Sequence, residues 1–400
     1  MAKSIKEQST GGKKPGSRPS RDTEDVIPVL RPLLPSAERL LPYLRMIDAT
    51  RTYSNWGPLA CEFERRMAEH FHLPGYGVIS ASSGTVALIG AVLATAGKAR
   101  PDRPIALIPA FTFVATATAV ERCGYQPYLA DINPESWLLD PQHVLSRHSL
   151  DRVGLVVPVS AFGRPVLQEE WLAFQRRSGV PVVIDGAASF EALSVSPAST
   201  IGEIPVALSH HATKSFATAE GGCVLTTDLR LSVRTTEALN FGFYADRESR
   251  SASINGKMSE YHAAIGLAEL DGWPRKRQAL SAVAERYRQR MTAVDLRAYF
   301  VSAPEVAGCY ALFCCSSSAQ AARVRRRLAE AGVEFRSWYG SGLLAQPYFS
   351  DLSHGALDVT ESIAPLVIGL PVAVDLTDSA IARVVATIER GVRGDDSPDR

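Results

Sequence analysis

Three short segments place chemically capable side chains at the ends of apolar runs. In SHHATKSFATAEGG (209–222), Lys214 lies among Ala212, Thr213, Ser215, Phe216 and Ala217, which is not the charged company of a solvated lysine. A free lysine amine titrates near ~10.4, so it works as a nucleophile or base near neutral pH only when desolvation lowers that value. An aldehyde ligand removes the charge altogether by forming a Schiff base. In PVVIDGAAS (181–189), Asp185 closes an apolar run. A carboxylate buried there costs several kcal/mol unless a cation or hydrogen bonds compensate, and a protonated ring nitrogen is one such cation. In SASSGTVAL (80–88), Ser83, Gly84 and Thr85 stand where a helix begins. Open N–H groups and the helix dipole make that end a phosphate cradle, and Ser209 stands within reach of the same anion.

Each residue also has an ordinary explanation. Lysines commonly snorkel at surfaces, an Asp before Gly binds turn amides, and Ser or Thr caps helices without any ligand. The set decides what no member does. A phosphate cradle, a buried acid and a desolvated lysine at successive strand ends are together what pyridoxal 5'-phosphate requires.

The elements that must position these residues follow from the hydrophobic pattern. Residues 104–110, 126–132, 153–160, 181–187, 205–210 and 221–228 read as strands without clean alternation, as in strands buried on both faces. Helical patterns separate several of them: GTVALIGAVLATAG, TFVATATAVERCG and QEEWLAFQRRSG. Such a series predicts an α/β fold with a mainly parallel central sheet, whose ligand site lies at the carboxyl ends of the strands. A long helix is expected over 258–292, then a smaller mixed C-terminal α+β domain ending in DSAIARVVATIERG. We divide the 400 residues into a disordered basic tail (1–25), an N-terminal segment with the large cofactor-binding domain (26–275), the small domain (276–395) and a disordered end (396–400).

Composition sets outer limits. Apolar content of 46%, charged content of 21% and a formal net charge of +1 describe an ordinary globular chain. Nothing global points to nucleic acid or membrane. The first 21 residues carry six Lys or Arg against one acid, but without interleaved aromatics they read as a solvated tail. The six cysteines lack metal-type spacing and read as buried thiols of a cytoplasmic protein. No metal is expected: His210 and His211 are adjacent on a strand and point to opposite faces. GYGVIS (75–80) precedes rather than follows strand-like residues, so it is not a dinucleotide loop, and a dehydrogenase would leave Lys214 unexplained. Arg336 in GVEFRSWYGSGLL could bind a carboxylate or a phosphate, or simply form a surface ion pair, and Trp338 and Tyr339 stand beside it.

The lysine motif closely resembles that of the DegT/DnrJ/EryC1/StrS aminotransferases, a sugar aminotransferase family. Further motifs recur in order over residues 28 to 390, among them YSNWGPLACEFERRMAEHF, SSGTVAL, IPAFTFVATATAVERCGYQPYLADINPESWLLDP, VVPVSAFG, VVIDGAAS, NGKMSEYHAAIGLAELD, GVEFRSWY and TESIAPLVIGLPV. The resemblance implies the type I aminotransferase fold. It implies Lys214 as the lysine that holds pyridoxal phosphate and Asp185 as the partner of its pyridine nitrogen. Gly84, Thr85 and Ser209 match phosphate contacts, and Phe113 matches the aromatic that stacks on the ring. Asn255 matches an asparagine that reaches the phosphate of the neighbouring subunit, which implies a homodimer with shared active sites. The implied reaction is a ping-pong transfer from an amino acid, L-glutamate by analogy, through pyridoxamine phosphate to a nucleotide-linked keto-deoxyhexose, for polysaccharide or secondary-metabolite biosynthesis. A keto-cyclitol or other carbonyl acceptor and a non-catalytic regulator are the alternatives. A sugar dehydratase of the same family would carry His in place of Lys214. Three positions depart from the family pattern: Ile184 where Glu is common, Ala188 where Gln or His is usual, and Lys257 where Arg is frequent. Ser189 or a water is expected to stand in for the side chain that Ala188 lacks.

Overall fold

The computed structural model describes residues 26–394; the two ends expected to be disordered lie outside the described residues. The central sheet takes one later strand and the first seven of the chain: β1 (Val78–Ala81), β2 (Ile105–Pro109), β3 (Gln126–Ala130), β4 (Val153–Val156), β5 (Ile184–Asp185), β6 (Val206–Ser209) and β7 (Gly222–Leu225). Their order is β1-β7-β6-β5 on one side and β3-β2-β4 on the other. Parallel bridges Val156–Val182 and Val159–Asp185 join the halves. Every pairing is parallel except those of β7, which runs antiparallel to both β1 and β6. The reversal has a local cause. Residues 210–221, which link β6 to β7 and carry Lys214, contain no helix, and a parallel return needs a crossover of about a dozen or more residues, normally built on one.

The buried strands explain the missing alternation: β1 and β7 are buried at every position, and β2 at all but its first. The strands are shorter than their apolar runs, and β1 is a strand that the sequence pattern did not delimit. Helices Gly84–Thr95, Val114–Arg122 and Gln168–Ser178 stand at the expected places.

A second sheet contains β8 (Phe300–Ser302), β9 (Ala311–Cys314) and β11 (Val367–Gly369), in the antiparallel order β11-β9-β8. Between them in the chain, β10 (Ser353–His354) pairs instead with β3 at the edge of the central sheet. Helices Ser318–Glu330 and Asp378–Arg393 share a core with the second sheet. The 34-residue helix Glu260–Ala293 spans both cores: Ala263, Leu267 and Trp273 pack with the central sheet, and Leu280, Tyr287 and Met291 with the second. Ile27 also packs in the second core, and Leu30 bridges to Val372. No described helix is long and apolar enough to cross a membrane.

Two expectations about side chains need correction. The cysteines are all unpaired, but Cys61 is exposed and Cys314 half-buried, so not every thiol is a core residue. His210 and His211 do diverge, His210 fully buried and His211 exposed, although both lie just past the end of β6.

Candidate active site

Asp185 ends β5 and Ser209 ends β6, with Lys214 five residues further on. The loop that carries Lys214 is pinned from behind. Two residues past the lysine, the Phe216 ring stacks on Phe190 at 4.3 Å with an interplanar angle of 1° and meets Trp273 edge-on. Behind the loop, Glu269 is a buried carboxylate paired with Lys276 and close to the Ala217 N–H. This packing accounts for the small and aromatic neighbours of Lys214 in the sequence. They fix the loop, and Lys214 itself is left half-buried.

Asp185 is 6% exposed. The Thr116 hydroxyl donates to its Oδ2 at 2.7 Å, and the Ala187 N–H donates to Oδ1 at 3.1 Å. Thr116 is itself paired with Thr112 at 2.8 Å. Burial pushes the Asp185 carboxyl above the usual carboxylate range, while Thr116, Ala187 and the positive charge of Lys214 pull it back. A cationic ring nitrogen is what such a carboxylate lacks. Two hydrogen bonds also leave lone pairs free on an ionised carboxylate.

Ser83 caps the helix Gly84–Thr95 by accepting from the Val86 N–H at 3.2 Å. The N–H groups of Gly84 and Thr85, in the first turn, have no intrahelical partner. A Cβ on Gly84 would lie 2.4 Å from Cβ and 2.8 Å from Oγ of Ser209. Only glycine lets the helix start come this close to the end of β6, so the open amides and the Ser209 hydroxyl share one concavity. Gly222 packs equally closely, since a Cβ there would sit 2.7 Å from the Ser83 carbonyl oxygen. An amide-lined hollow, a buried acid and a lysine at neighbouring strand ends fit the phosphate, the ring nitrogen and the aldehyde of pyridoxal phosphate.

Phe113 precedes the helix Val114–Arg122, with its ring 56% exposed. Asn255 is exposed and is not brought into contact with Lys214 or Asp185. Its Oδ1 accepts from Lys257 Nζ at 2.9 Å, and the same ammonium bonds Asn240 at 3.0 Å and lies 4.5 Å from the Phe241 ring centroid. Ile184 is a core residue on the opposite side of the strand from Asp185, which explains an apolar side chain there. Ala188 packs among Phe162, Val306 and Tyr310. The Ser189 Oγ is buried with no hydrogen-bond partner among the described residues.

Two neighbours escaped the sequence reading. Thr116 left a faint signal, because Thr112 and Thr116 are four apart at the start of a helix. Tyr310 left none: its hydroxyl meets Lys214 Nζ at 3.4 Å from 96 positions away. Tyr339, noted only as a neighbour of Arg336, stacks on Phe162 at 4.5 Å and accepts from the Phe162 N–H at 3.0 Å. No group of His, Cys, Asp or Glu among the described residues is arranged to hold a metal.

Comparison with known proteins places the chain in a family. Residues 36–389 match the DegT/DnrJ/EryC1/StrS aminotransferase family. The Mycobacterium tuberculosis protein Rv3402c is 32% identical over 389 residues, 94% of this chain and 93% of its own. A UDP-2-acetamido-2-deoxy-3-oxo-D-glucuronate aminotransferase of Pseudomonas aeruginosa is 28% identical over 339 residues, covering 83% of this chain and 90% of its own. The crystal structure of DesI in the presence of its TDP-sugar product superposes with a TM-score of 0.82 at 27% identity, covering 92% of this chain and 94% of that one. The chain therefore belongs to the DegT/DnrJ/EryC1/StrS family and is a pyridoxal-phosphate-dependent aminotransferase.

Proposed function

We propose that this protein moves an amino group from an amino acid, L-glutamate, to the carbonyl of a nucleotide-linked keto-deoxyhexose. The observation that carries the reading is the convergence of Lys214, Asp185 and the Gly84–Ser209 hollow at the carboxyl ends of neighbouring strands. When bound, pyridoxal phosphate supplies an electron sink for the carbanion that forms at the donor α-carbon. Lys214 would hold the cofactor aldehyde; once freed by the donor, its Nζ would take the proton from the donor α-carbon and pass it to the carbon that had held the lysine. Asp185 would keep a proton on the ring nitrogen, and the Thr116 hydroxyl favours the ionised form of Asp185 against the pull of burial. The amides of Gly84 and Thr85 and the Ser209 hydroxyl would hold the phosphate, and the exposed Phe113 ring would be available to pack on the cofactor ring. The second half-reaction runs these proton movements in reverse on the keto sugar.

The sugar assignment draws support from the family and from two sugar-handling relatives, the Pseudomonas aeruginosa aminotransferase and DesI with its TDP-sugar product. We further place the protein in the cytoplasm, in polysaccharide or secondary-metabolite biosynthesis, as a homodimer in which Asn255 serves the partner's phosphate. Six unpaired thiols favour a reducing compartment. The exposure of Asn255, with Oδ1 held by Lys257, suits a contact outside its own chain.

The test is an absorbance spectrum of the protein loaded with pyridoxal phosphate, before and after L-glutamate, followed by a panel of keto sugars and keto-cyclitols. A visible band that glutamate bleaches and 2-oxoglutarate restores supports the donor half. Reoxidation by a nucleotide-linked keto sugar, and not by a cyclitol, supports the acceptor half. A band unaffected by glutamate refutes the donor.

A further inference from the structure

Lys214 Nζ makes one hydrogen bond among the described residues, to the hydroxyl of Tyr310 at 3.4 Å. Tyr310 arrives there by a built path. The Glu191 carboxylate lies close to the Ser215 hydroxyl and accepts the Gly308 N–H at 2.9 Å. A Cβ on Gly308 would lie 2.8 Å from Glu191 Oε1 and would push that carboxylate aside. Cys309 in turn lies against Ser215. Residues 308–310 are thus fastened alongside 214–215, leading into β9, and the fastening delivers the phenol to the lysine.

The ring is held as firmly as its backbone. Tyr310 is 8% exposed and meets Phe162 edge-on at 5.3 Å and Trp338 edge-on at 5.4 Å. Burial pushes its phenol well above the usual range, so the hydroxyl stays protonated. A neutral phenol both donates and accepts. It accepts from Lys214 as an ammonium and donates to it as a free amine, so the nitrogen keeps one partner through both protonation states.

We propose that Tyr310 is a further catalytic residue of the transamination, its hydroxyl holding Lys214 Nζ in place while that nitrogen takes up and returns the α-proton. The inference rests on the assignment of Lys214 above. Tyr310 itself transfers no proton in this step; the proton leaves the donor carbon for Lys214 Nζ and passes from it to the cofactor carbon.

The test is Tyr310→Phe, which keeps the ring contacts and removes only the hydroxyl. Two readouts separate its role from packing: the stopped-flow rate at which cofactor-free protein captures pyridoxal phosphate, and the glutamate half-reaction with α-protonated and α-deuterated donor. We expect capture to slow by about tenfold, the scale of one lost hydrogen bond. The half-reaction should fall about 10- to 100-fold with KM within about threefold, and the deuterium isotope effect should rise as proton transfer becomes limiting. Capture, rate and isotope effect all within about twofold of wild type would overturn the proposal and leave the role of Lys214 standing. A wild-type protein that forms no visible band would instead overturn the Lys214 assignment, and this proposal with it.

Discussion

Thr116→Val tests how the site keeps a buried acid ionised. The substitution retains the shape of a fully buried side chain and deletes the hydroxyl that donates to Asp185 Oδ2 at 2.7 Å. Of the two hydrogen bonds to that carboxylate, only the Ala187 N–H at 3.1 Å remains. A hydrogen bond to a charged group contributes about 1.5–3 kcal/mol, so removing one should weaken whatever requires the ionised acid by about 10- to 150-fold. Cofactor binding is such a process, because the ring nitrogen stays protonated only beside a carboxylate. We expect the dissociation constant of pyridoxal phosphate, from spectral titration, to rise within that range at about pH 8, where a free carboxyl is ionised. The sign of the pH dependence follows from the structure. Burial raises the Asp185 pKa and Thr116 lowers it, so the Thr116 bond stabilises the ionised form. Its contribution to folding is therefore present at high pH and is lost as pH falls through the native pKa of Asp185. In denaturant titrations of cofactor-free protein, Thr116→Val should cost more stability at about pH 8 than at about pH 5. An equal loss at both pH values, or unchanged cofactor affinity, would refute the reasoning.

Three further outcomes follow from the same geometry. Asp185→Asn removes a desolvated charge, so cofactor-free protein should melt no lower than wild type at about pH 8, while the glutamate half-reaction falls about 100-fold or more; a marked drop in melting temperature would contradict the burial argument. Gly84→Ala forces a Cβ to within 2.4 Å of the Ser209 Cβ, and should cost about 1–3 kcal/mol in chemical unfolding and weaken binding of the cofactor phosphate. Wild-type stability and affinity in that variant would mean that the hollow is looser than described. Burial lowers the pKa of His210 from an ordinary 6.5 to about 3, so unfolded chains bind a proton there that the native protein refuses. Stability should fall as pH drops from about 6.5 towards about 3, and His210→Asn should flatten that slope; an unchanged slope assigns the acid sensitivity elsewhere.

What the sequence disclosed was local. Lys214, Asp185, Gly84 and Ser209 stand at the ends of apolar runs, and a strand-end position is written in the few residues around it. The helix starting at Gly84 was readable for the same reason. The direction of β7 was not, because it depends on the length and shape of the 210–221 loop rather than on the residues of the strand. β1 is four residues long, two of them small, and offers little period to detect. The least legible features are those that join distant segments. Glu191 meets Gly308 across 117 positions and Tyr310 meets Lys214 across 96, and no spacing rule anticipates either. Thr116 falls between these cases, since its pairing with Thr112 is local and its bond to Asp185 is not. The departures also acquire physical content. Ile184 belongs to the core, whereas Ala188 leaves a small apolar wall beside the Phe162 and Tyr310 rings.

The central claim is that Lys214 carries the cofactor. Borohydride reduction of the loaded protein, followed by peptide mapping in the mass spectrometer, tests it directly. Lys214 has a built-in control in Lys276, which lines the same small cavity beside the Leu30–Leu33 segment but is already paired with Glu269. A stoichiometric pyridoxyl group is expected on the peptide containing Lys214 and none on that containing Lys276. A label on Lys276, a label spread over surface lysines, or no label would contradict it.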